Sequence, residues 1–204
     1  MKTRSDAPRR GRPRTFDSAD VLDRAMRVFW RKGYASTSLS DLTAATGVNR
    51  PSLYAAFGNK ESFFRNVLDH YARGPFGYFR ESLDAPTARE VVERLLQGGA
   101  NLATDARSPT GCLWVRGSLS YGDRPASLRR EMFARRRSGE AALAARFQRA
   151  VDGGDLPPDT DPVALARLIQ AIHLGMQVQA ASGATRAELE EVVDTALLAF
   201  PEQG

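Results

Sequence analysis

Residues 49–60, NRPSLYAAFGNK, carry side chains whose chemistry suits contact with DNA. Arg50 can bind guanine through two hydrogen bonds, and Pro51 can pack on a thymine methyl group. Tyr54 and Lys60 can hold phosphates, which position a duplex without reading its sequence. The pattern predicts a short helix that presents these side chains on its outer side, together with Ser52.

Cys112 is the only cysteine of the chain, which excludes an intramolecular disulfide and suits a reducing cytoplasm. It lies in the first turn of a predicted short helix, with Arg107 and Arg116 near it in sequence. Such surroundings can lower the pKa of a thiol and make it reactive. The alternative, and the commoner fate of a lone cysteine, is a small buried hydrophobe.

His173 interrupts the otherwise apolar stretch 168–176, and a buried imidazole there needs a hydrogen-bond partner from the protein or from a ligand. The two histidines and the single cysteine are far apart in sequence. We find no metal-ligand cluster, phosphate-binding glycine loop or catalytic triad. The sequence therefore predicts no enzyme, no metal and no cofactor.

The elements that would position the DNA-contacting residues are two short helices and a tight turn. Ser38 and Asp41 suit the start of the first helix. Gly47 suits its left-handed end, and Asn49 and Pro51 suit the start of the second. The helix-turn-helix pattern is carried by the spacing of Leu42, Gly47, Val48 and Leu53.

Positive charge is concentrated in the first part of the chain. Residues 1–60 contain 12 lysines and arginines against 5 acidic residues, whereas residues 61–204 contain 17 against 19. This asymmetry indicates that only the first part meets a polyanion. Residues 1–15 are predicted to be a disordered basic arm, in which Arg12 and Arg14 either enter a minor groove or belong to a solvated tail.

Helical periodicity continues through the rest of the sequence, and no strand pattern competes with it. We expect an all-α protein of about nine helices: a three-helix helix-turn-helix head at residues 16–60 and a helical effector-binding and dimerisation domain at residues 61–204. No apolar run is long enough to span a membrane, so a cytoplasmic location is expected.

Of the last two predicted helices, the first is apolar nearly all round and the second carries a narrow apolar stripe. This pair favours a four-helix bundle between two copies of the chain. Packing within one subunit is the alternative. The predicted dimer-interface residues are Ile172, Met176, Leu189, Val193 and Leu197.

A set of short motifs covers about 50 residues of the N-terminal part. These are Phe16-Asp17, Phe29 through Gly33-Tyr34, Gly47-Val48-Asn49, Ser52-Leu53-Tyr54, Phe57-Gly58-Asn59-Lys60-Glu61 and Phe64. With them the sequence resembles the TetR family of bacterial transcriptional regulators. Gly111-Cys112-Leu113 is similar to a motif of some TetR-like regulators that sense electrophiles or oxidants.

The resemblance implies a homodimer that binds a palindromic double-stranded DNA operator, usually represses, and carries a C-terminal effector domain. It implies that the start of the second helix contacts the DNA backbone, that the third helix contacts bases, and that residues around them contact phosphates. The predicted DNA-binding residues are Arg12, Arg14, Thr37, Ser38, Asn49, Arg50, Pro51, Ser52, Tyr54 and Lys60.

An effector pocket is expected to suit an apolar or aromatic small molecule with a few polar anchors. Its candidate lining residues are Phe64, Tyr71, Leu102, Cys112, Trp114, Met132, Phe133, Ile169, His173 and Met176. The main hypothesis is a repressor released from its operator by such an effector. The alternatives are a redox- or electrophile-sensing repressor that acts through Cys112, and a non-specific architectural DNA binder.

Overall fold

The computed structural model describes residues 16–115 and 125–201, and within these ranges the chain is helical without any strand. The predicted all-α class is confirmed. The predicted arm residues Arg12 and Arg14 lie outside the described residues, as does Arg116. Residues 113–115 are also helical. The longer helices are α1 Ser18–Ser36, α2 Leu39–Thr46, α3 Arg50–Phe57, α4 Lys60–Arg73, α5 Tyr78–Leu83, α6 Ala88–Thr104, α7 Ala126–Asp152, α8 Pro162–Ala181 and α9 Arg186–Leu198.

The head is built from α1, α2 and α3 around an aromatic core. Asp17 caps α1 by accepting a hydrogen bond from the Ala19 backbone N–H at 2.9 Å. Gly33 interrupts the helical geometry near the end of α1 with a φ of 75°, a value that favours glycine. Phe29 packs edge-on against Phe64 of α4 at a centroid distance of 4.8 Å. The core of the head therefore continues across residue 60 into α4.

This first core extends along α4 to Tyr71, which contacts Cys112, and includes residues at the start of α7. The second core lies between α6, α8, α9 and the C-terminal half of α7. Helix α8 packs against all three of these helices. Arg146 is buried beside this core and donates to the backbone oxygens of Ala85 and Pro86 at 2.9 and 3.0 Å, so its charged group is hydrogen-bonded.

The predicted dimer-interface stripe is mostly covered by the subunit's own helices. Met176 and Leu189 are fully buried, Val193 is 1% exposed and Leu197 is 9% exposed, all within the second core. Helix α6 packs against both α8 and α9, so these four side chains are covered within the subunit and offer little surface to a second copy. Of the predicted set, Ile172 alone is half-buried and lines a surface groove between α8 and α9. Among the described residues, no helix is both long and apolar enough to cross a membrane.

Candidate nucleic-acid interface and cavity

The start of α2 is fixed by a reciprocal capping arrangement. The Ser38 hydroxyl accepts a hydrogen bond from the Asp41 backbone N–H at 3.0 Å, and the Asp41 carboxylate accepts from the Ser38 N–H at 2.9 Å. Lys32 lies 2.6 Å from Asp41 and, together with Ser38, lowers the pKa of that carboxyl to about 2. No sequence signal linked Lys32 to this cap, since the two residues are nine positions apart.

Thr37 does not have the surface position that the sequence predicted. It is 1% exposed, and its hydroxyl donates to the Gly33 backbone oxygen at 2.7 Å. The prediction that its side chain meets a phosphate is therefore corrected, because the hydroxyl closes the end of α1. Ser38 is exposed beside it, at the N-terminus of α2.

The turn between α2 and α3 follows the predicted local chemistry. Gly47 ends α2 with a φ of 70°. Asn49 caps α3 by accepting from the Ser52 N–H at 3.0 Å, and Pro51 occupies the first turn. Asn49, Arg50 and Pro51 are exposed, whereas Ser52 is half-buried. The N-terminal end of α3 therefore presents Arg50 and Pro51 to solvent on a well-anchored helix.

Arg50 and Tyr54 are paired on the outer side of α3. The Arg50 guanidinium carbon lies 5.3 Å from the centre of the Tyr54 ring, and one guanidinium nitrogen is 3.4 Å from the hydroxyl. Tyr54 is half-buried, so its ring packs while its hydroxyl faces outward. The ring limits the positions that the arginine can adopt.

Lys60 lies at the junction of the head and α4. Its ammonium group is 4.5 Å from the centre of the Tyr34 ring and 3.4 Å from the Ala35 backbone oxygen. Burial lowers the pKa of this lysine, while the charge of Asp41 opposes that effect. Lys60 thus places a positive charge near the N-terminus of α2. Tyr34, which holds it, belongs to one of the family motifs but was not among the predicted DNA-binding residues.

A cavity of about 470 Å³ lies between the helical region near residue 114 and helices α4, α5, α7 and α8. Of the predicted pocket residues, Cys112, Trp114, Met132 and His173 line it. Its other lining residues are Ala72, Phe76, Phe79, Arg80, Val115, Arg135, Arg136, Ser138, Gly139, Gln170, Leu174, Gly175 and Val178.

The remaining predicted pocket residues lie elsewhere. Phe64, Tyr71 and Leu102 pack in the first core, and Ile169 and Met176 in the second. Phe133 is 53% exposed, because the turn of α7 places it away from the cavity. Periodicity detects apolar side chains, but it does not distinguish a cavity wall from a filled core.

Cys112 is 2% exposed, and its Sγ lies 3.1 Å from the Tyr71 hydroxyl oxygen. Burial raises the pKa of the thiol above its ordinary value. Arg107 does not counter this effect, since it is exposed and pairs with Asp105 at 3.1 Å. Burial therefore acts against the lowered pKa considered from the sequence, and Arg116, the other cation considered there, lies outside the described residues.

His173 finds its hydrogen-bond partner within the protein. Its Nε2 lies 2.8 Å from the Tyr78 hydroxyl oxygen, and burial lowers the pKa of the imidazole to about 4. Burial also raises the pKa of Tyr78, so the neutral hydroxyl can donate to the neutral ring. A β-carbon on Gly99 would come within 2.7 Å of the His173 ring, so glycine permits this close approach of α6 and α8.

A network of charged side chains connects α4 to α7 beside the cavity. Arg65 of α4 contacts Glu61 and Glu131, each at 2.6 Å. Arg135 of α7 contacts Glu131 at 2.7 Å and Asp69 of α4 at 2.6 Å. Arg135 also lines the cavity, with its guanidinium 5.5 Å from the centre of a Trp114 ring. The cavity wall and the helix that leaves the head therefore share one ion-pair network.

The part of the chain that the structure describes contains no group of three histidine, cysteine or acidic side chains placed to hold a metal ion. The two features that the fold does assemble are an exposed, capped helix with an arginine at its start and a separate apolar cavity.

Comparison with known proteins assigns this combination to a family. Residues 21–67 match the family model described as bacterial regulatory proteins, tetR family, and residues 88–196 match the tetracyclin repressor-like C-terminal domain. The chain belongs to the TetR family and is a DNA-binding transcriptional regulator.

Individual relatives match over almost their whole length. The HTH-type transcriptional repressor ComR of Escherichia coli (strain K12) is 33% identical over 198 residues, covering 95% of this chain and 93% of ComR. The uncharacterized regulator YezE of Bacillus subtilis (strain 168) is 32% identical over 189 residues, covering 92% and 97%. A cysteine mutant of the TetR family regulator CifR, solved with a 26-base-pair operator, is 41% identical with a TM-score of 0.88, covering 93% of this chain and 100% of that chain.

Proposed function

We propose that the protein is a homodimeric repressor that binds a palindromic operator and leaves it when a small-molecule effector occupies the cavity. The observation that carries the proposal is the position of Arg135, which lines the cavity and is paired with Asp69 of α4. Helix α4 begins at Lys60, directly after the head. A ligand that moves Arg135 would therefore act on the helix that orients α3.

The relatives support the repressor assignment. ComR is named as a repressor, and CifR was solved on double-stranded operator DNA. In this chain, Ser38, Arg50, Pro51, Tyr54 and Lys60 provide the polar and apolar groups that such a contact needs. Arg50 and Pro51 suit contacts with base edges in the major groove. Ser38, Tyr54 and Lys60 suit contacts with the DNA backbone.

A second copy of the chain would pack on the groove between α8 and α9. This groove holds two half-buried or exposed large apolar side chains from α8, Leu168 and Ile172, together with Val192 from α9. Leu168 is 55% exposed, which is unusual for a leucine in the middle of an apolar helix. Two α3 helices in such a dimer would read half-sites about one DNA turn apart, roughly 34–36 Å.

Release would follow from a population shift. An effector that binds better to a form with a different α4 position favours that form at the expense of the DNA-binding one. This hypothesis predicts that effector and operator weaken each other's binding by the same factor.

Selection of bound sequences from a random DNA pool tests the function directly. We expect enrichment of an inverted repeat whose half-sites are one turn apart, and a weaker preference at one base pair of each half-site in an Arg50→Ala variant. Binding without any enriched repeat would contradict the repressor and favour a non-specific architectural DNA binder. Screening small molecules for release of the selected operator then tests the effector.

Sensing through Cys112 is a second candidate, favoured by the position of the thiol on the cavity wall. A small electrophile that enters the cavity would reach Sγ, although the protonated thiol reacts slowly. Treatment with a quinone or with hypochlorite should then reduce operator binding by the unmodified protein. No reduction, or an equal reduction in Cys112→Ser, would exclude this candidate.

A further inference from the structure

The charge of the cavity wall is strongly one-sided. Three arginines, Arg80, Arg135 and Arg136, line the cavity, and its lining within the described residues includes no aspartate or glutamate. His173 adds no positive charge at neutral pH, because burial lowers its pKa to about 4. Three arginine residues therefore line a wall that is otherwise mostly apolar.

The three arginines are not equivalent. Arg135 is held by Asp69 and Glu131 at 2.6 and 2.7 Å. In residues 16–115 and 125–201, neither Arg80 nor Arg136 forms an ion pair with a carboxylate, and the Arg136 guanidinium lies 5.1 Å from the Phe133 ring centre. Two arginines of the cavity lining thus lack an anionic partner within the described chain.

The fold brings these two arginines to one region. Helices α5 and α7 approach closely at Gly139, where a β-carbon would lie 3.4 Å from the Phe79 ring. Arg80 directly follows Phe79 in α5, and Arg136 precedes Gly139 by one helical turn of α7. Both are exposed, so an anion could reach them from solvent.

Aromatic rings make up much of the remaining wall. The Phe76 and Phe79 rings are stacked with centroids 5.5 Å apart, and the neutral His173 ring lies 6.0 Å from Phe76. Trp114 lines the cavity beside them. A cavity of about 470 Å³ can hold a drug-sized molecule. Its apolar body would lie on these rings, with its charged group toward Arg80 and Arg136.

We infer that the effector is an amphipathic anion, a carboxylate on an aromatic or other apolar body, whose carboxylate is bound by Arg80 and Arg136. This inference rests on the proposed function, since it names the class of molecule that the cavity senses. Arginine suits the role because its planar guanidinium donates two parallel hydrogen bonds to one carboxylate.

Calorimetric titration of the full-length protein with 2-naphthoate and with 2-naphthamide tests the inference. The two probes have the same aromatic body and differ in charge. We expect the carboxylate to bind at least about tenfold more tightly than the amide at the same ionic strength, because hydrogen bonds to charged groups are the stronger ones. In an Arg80→Gln/Arg136→Gln variant the two affinities should become equal.

Arg149→Gln is the matched control, because Arg149 is an exposed arginine of α7 that does not line the cavity. It should keep the preference for the carboxylate. Equal binding of the two probes by the unmodified protein, binding of neither probe at millimolar concentration, or an unchanged preference in the double variant would each overturn the inference.

Operator binding measured in the same samples separates this inference from the proposed function. Release of the operator by the amide at least as well as by the carboxylate would leave an effector-controlled repressor in place and exclude an anionic effector. Carboxylate binding that depends on Arg80 and Arg136 without any release would support the anion site and contradict control through this cavity.

Discussion

Two neighbouring residues, Asn49 and Tyr54, fix the position of Arg50. Asn49 caps the first turn of α3, which fixes the backbone from which the arginine projects. The Tyr54 ring then supports the guanidinium at 5.3 Å. An arginine held in this way loses less conformational freedom on binding than one that is fully mobile, so more of its hydrogen-bond energy remains available for base recognition.

Replacing Arg50 with alanine should lower operator affinity by about 1–3 kcal/mol, which is roughly fivefold to 150-fold, because a bidentate contact with a base is lost. Preference at one base pair of each half-site should weaken at the same time. Fluorescence anisotropy at a fixed salt concentration measures both effects. Arg149→Ala serves as the control, and an equal loss in that variant would show that only overall charge matters.

His173 should make stability depend on pH in a defined range. Its folded-state pKa of about 4 lies below the ordinary value of 6.5, so between these values the unfolded chain binds a proton that the folded chain excludes. The free energy of unfolding should therefore decrease as the pH falls from about 6.5 toward about 4, by up to about 3 kcal/mol.

Urea denaturation at several pH values measures this dependence. His173→Gln should lose this part of the decrease, whereas His70→Gln, which replaces the other histidine of the chain, should retain it. If the unmodified protein and His173→Gln have the same pH dependence, the assignment to His173 is wrong.

At the scale of helices, α4 and α7 are connected by side-chain ion pairs as well as by apolar packing. Glu131 accepts from Arg65 with one carboxylate oxygen and from Arg135 with the other. The network therefore ties two points of α4, at Arg65 and Asp69, to one segment of α7. In the proposed repressor, this link would transmit a displacement of α7 to the base of the head.

Neutralising Glu131 tests this link. Glu131→Gln should lower the free energy of unfolding by about 1 kcal/mol, a modest value because a quarter to a third of each of these side chains remains exposed. A double-mutant cycle with Arg65→Gln, followed by urea denaturation, should reveal a coupling energy. The matched change Glu190→Gln affects the more exposed Arg186–Glu190 pair of α9 and should lower the free energy of unfolding by less.

At the scale of the whole molecule, the proposed dimer places the groove between α8 and α9 against a second copy of the chain. Leu168→Glu should convert the proposed dimer to a monomer, because a charge would be buried against the second copy. Light scattering coupled to gel filtration measures the mass. Leu198→Glu provides the control, since Leu198 is 85% exposed on α9 and does not line the groove. A Leu168→Glu variant that remains dimeric would place the interface elsewhere.

The local features of the head are those that the sequence predicts best. The caps at Asp17, Ser38 and Asn49 and the left-handed turn at Gly47 all lie where their residue types place them. Each depends on a hydrogen bond or a backbone angle within four residues, so neighbouring side chains decide it. The same holds for the helical class, because periodicity is itself a local property.

Tertiary packing determined which side chains of these helices are buried and which are exposed. The stripe of α9 marks an apolar side, but only the position of α6 shows that Leu189 and Val193 are covered within the subunit. The pKa of Cys112 is raised because the thiol is buried against Tyr71 of α4, which is far away in sequence. The sequence by itself determined the helical class, the caps of the head and the resemblance to the family. Burial, which depends on every element that packs around a side chain, determined the cavity and the electrostatics of its wall.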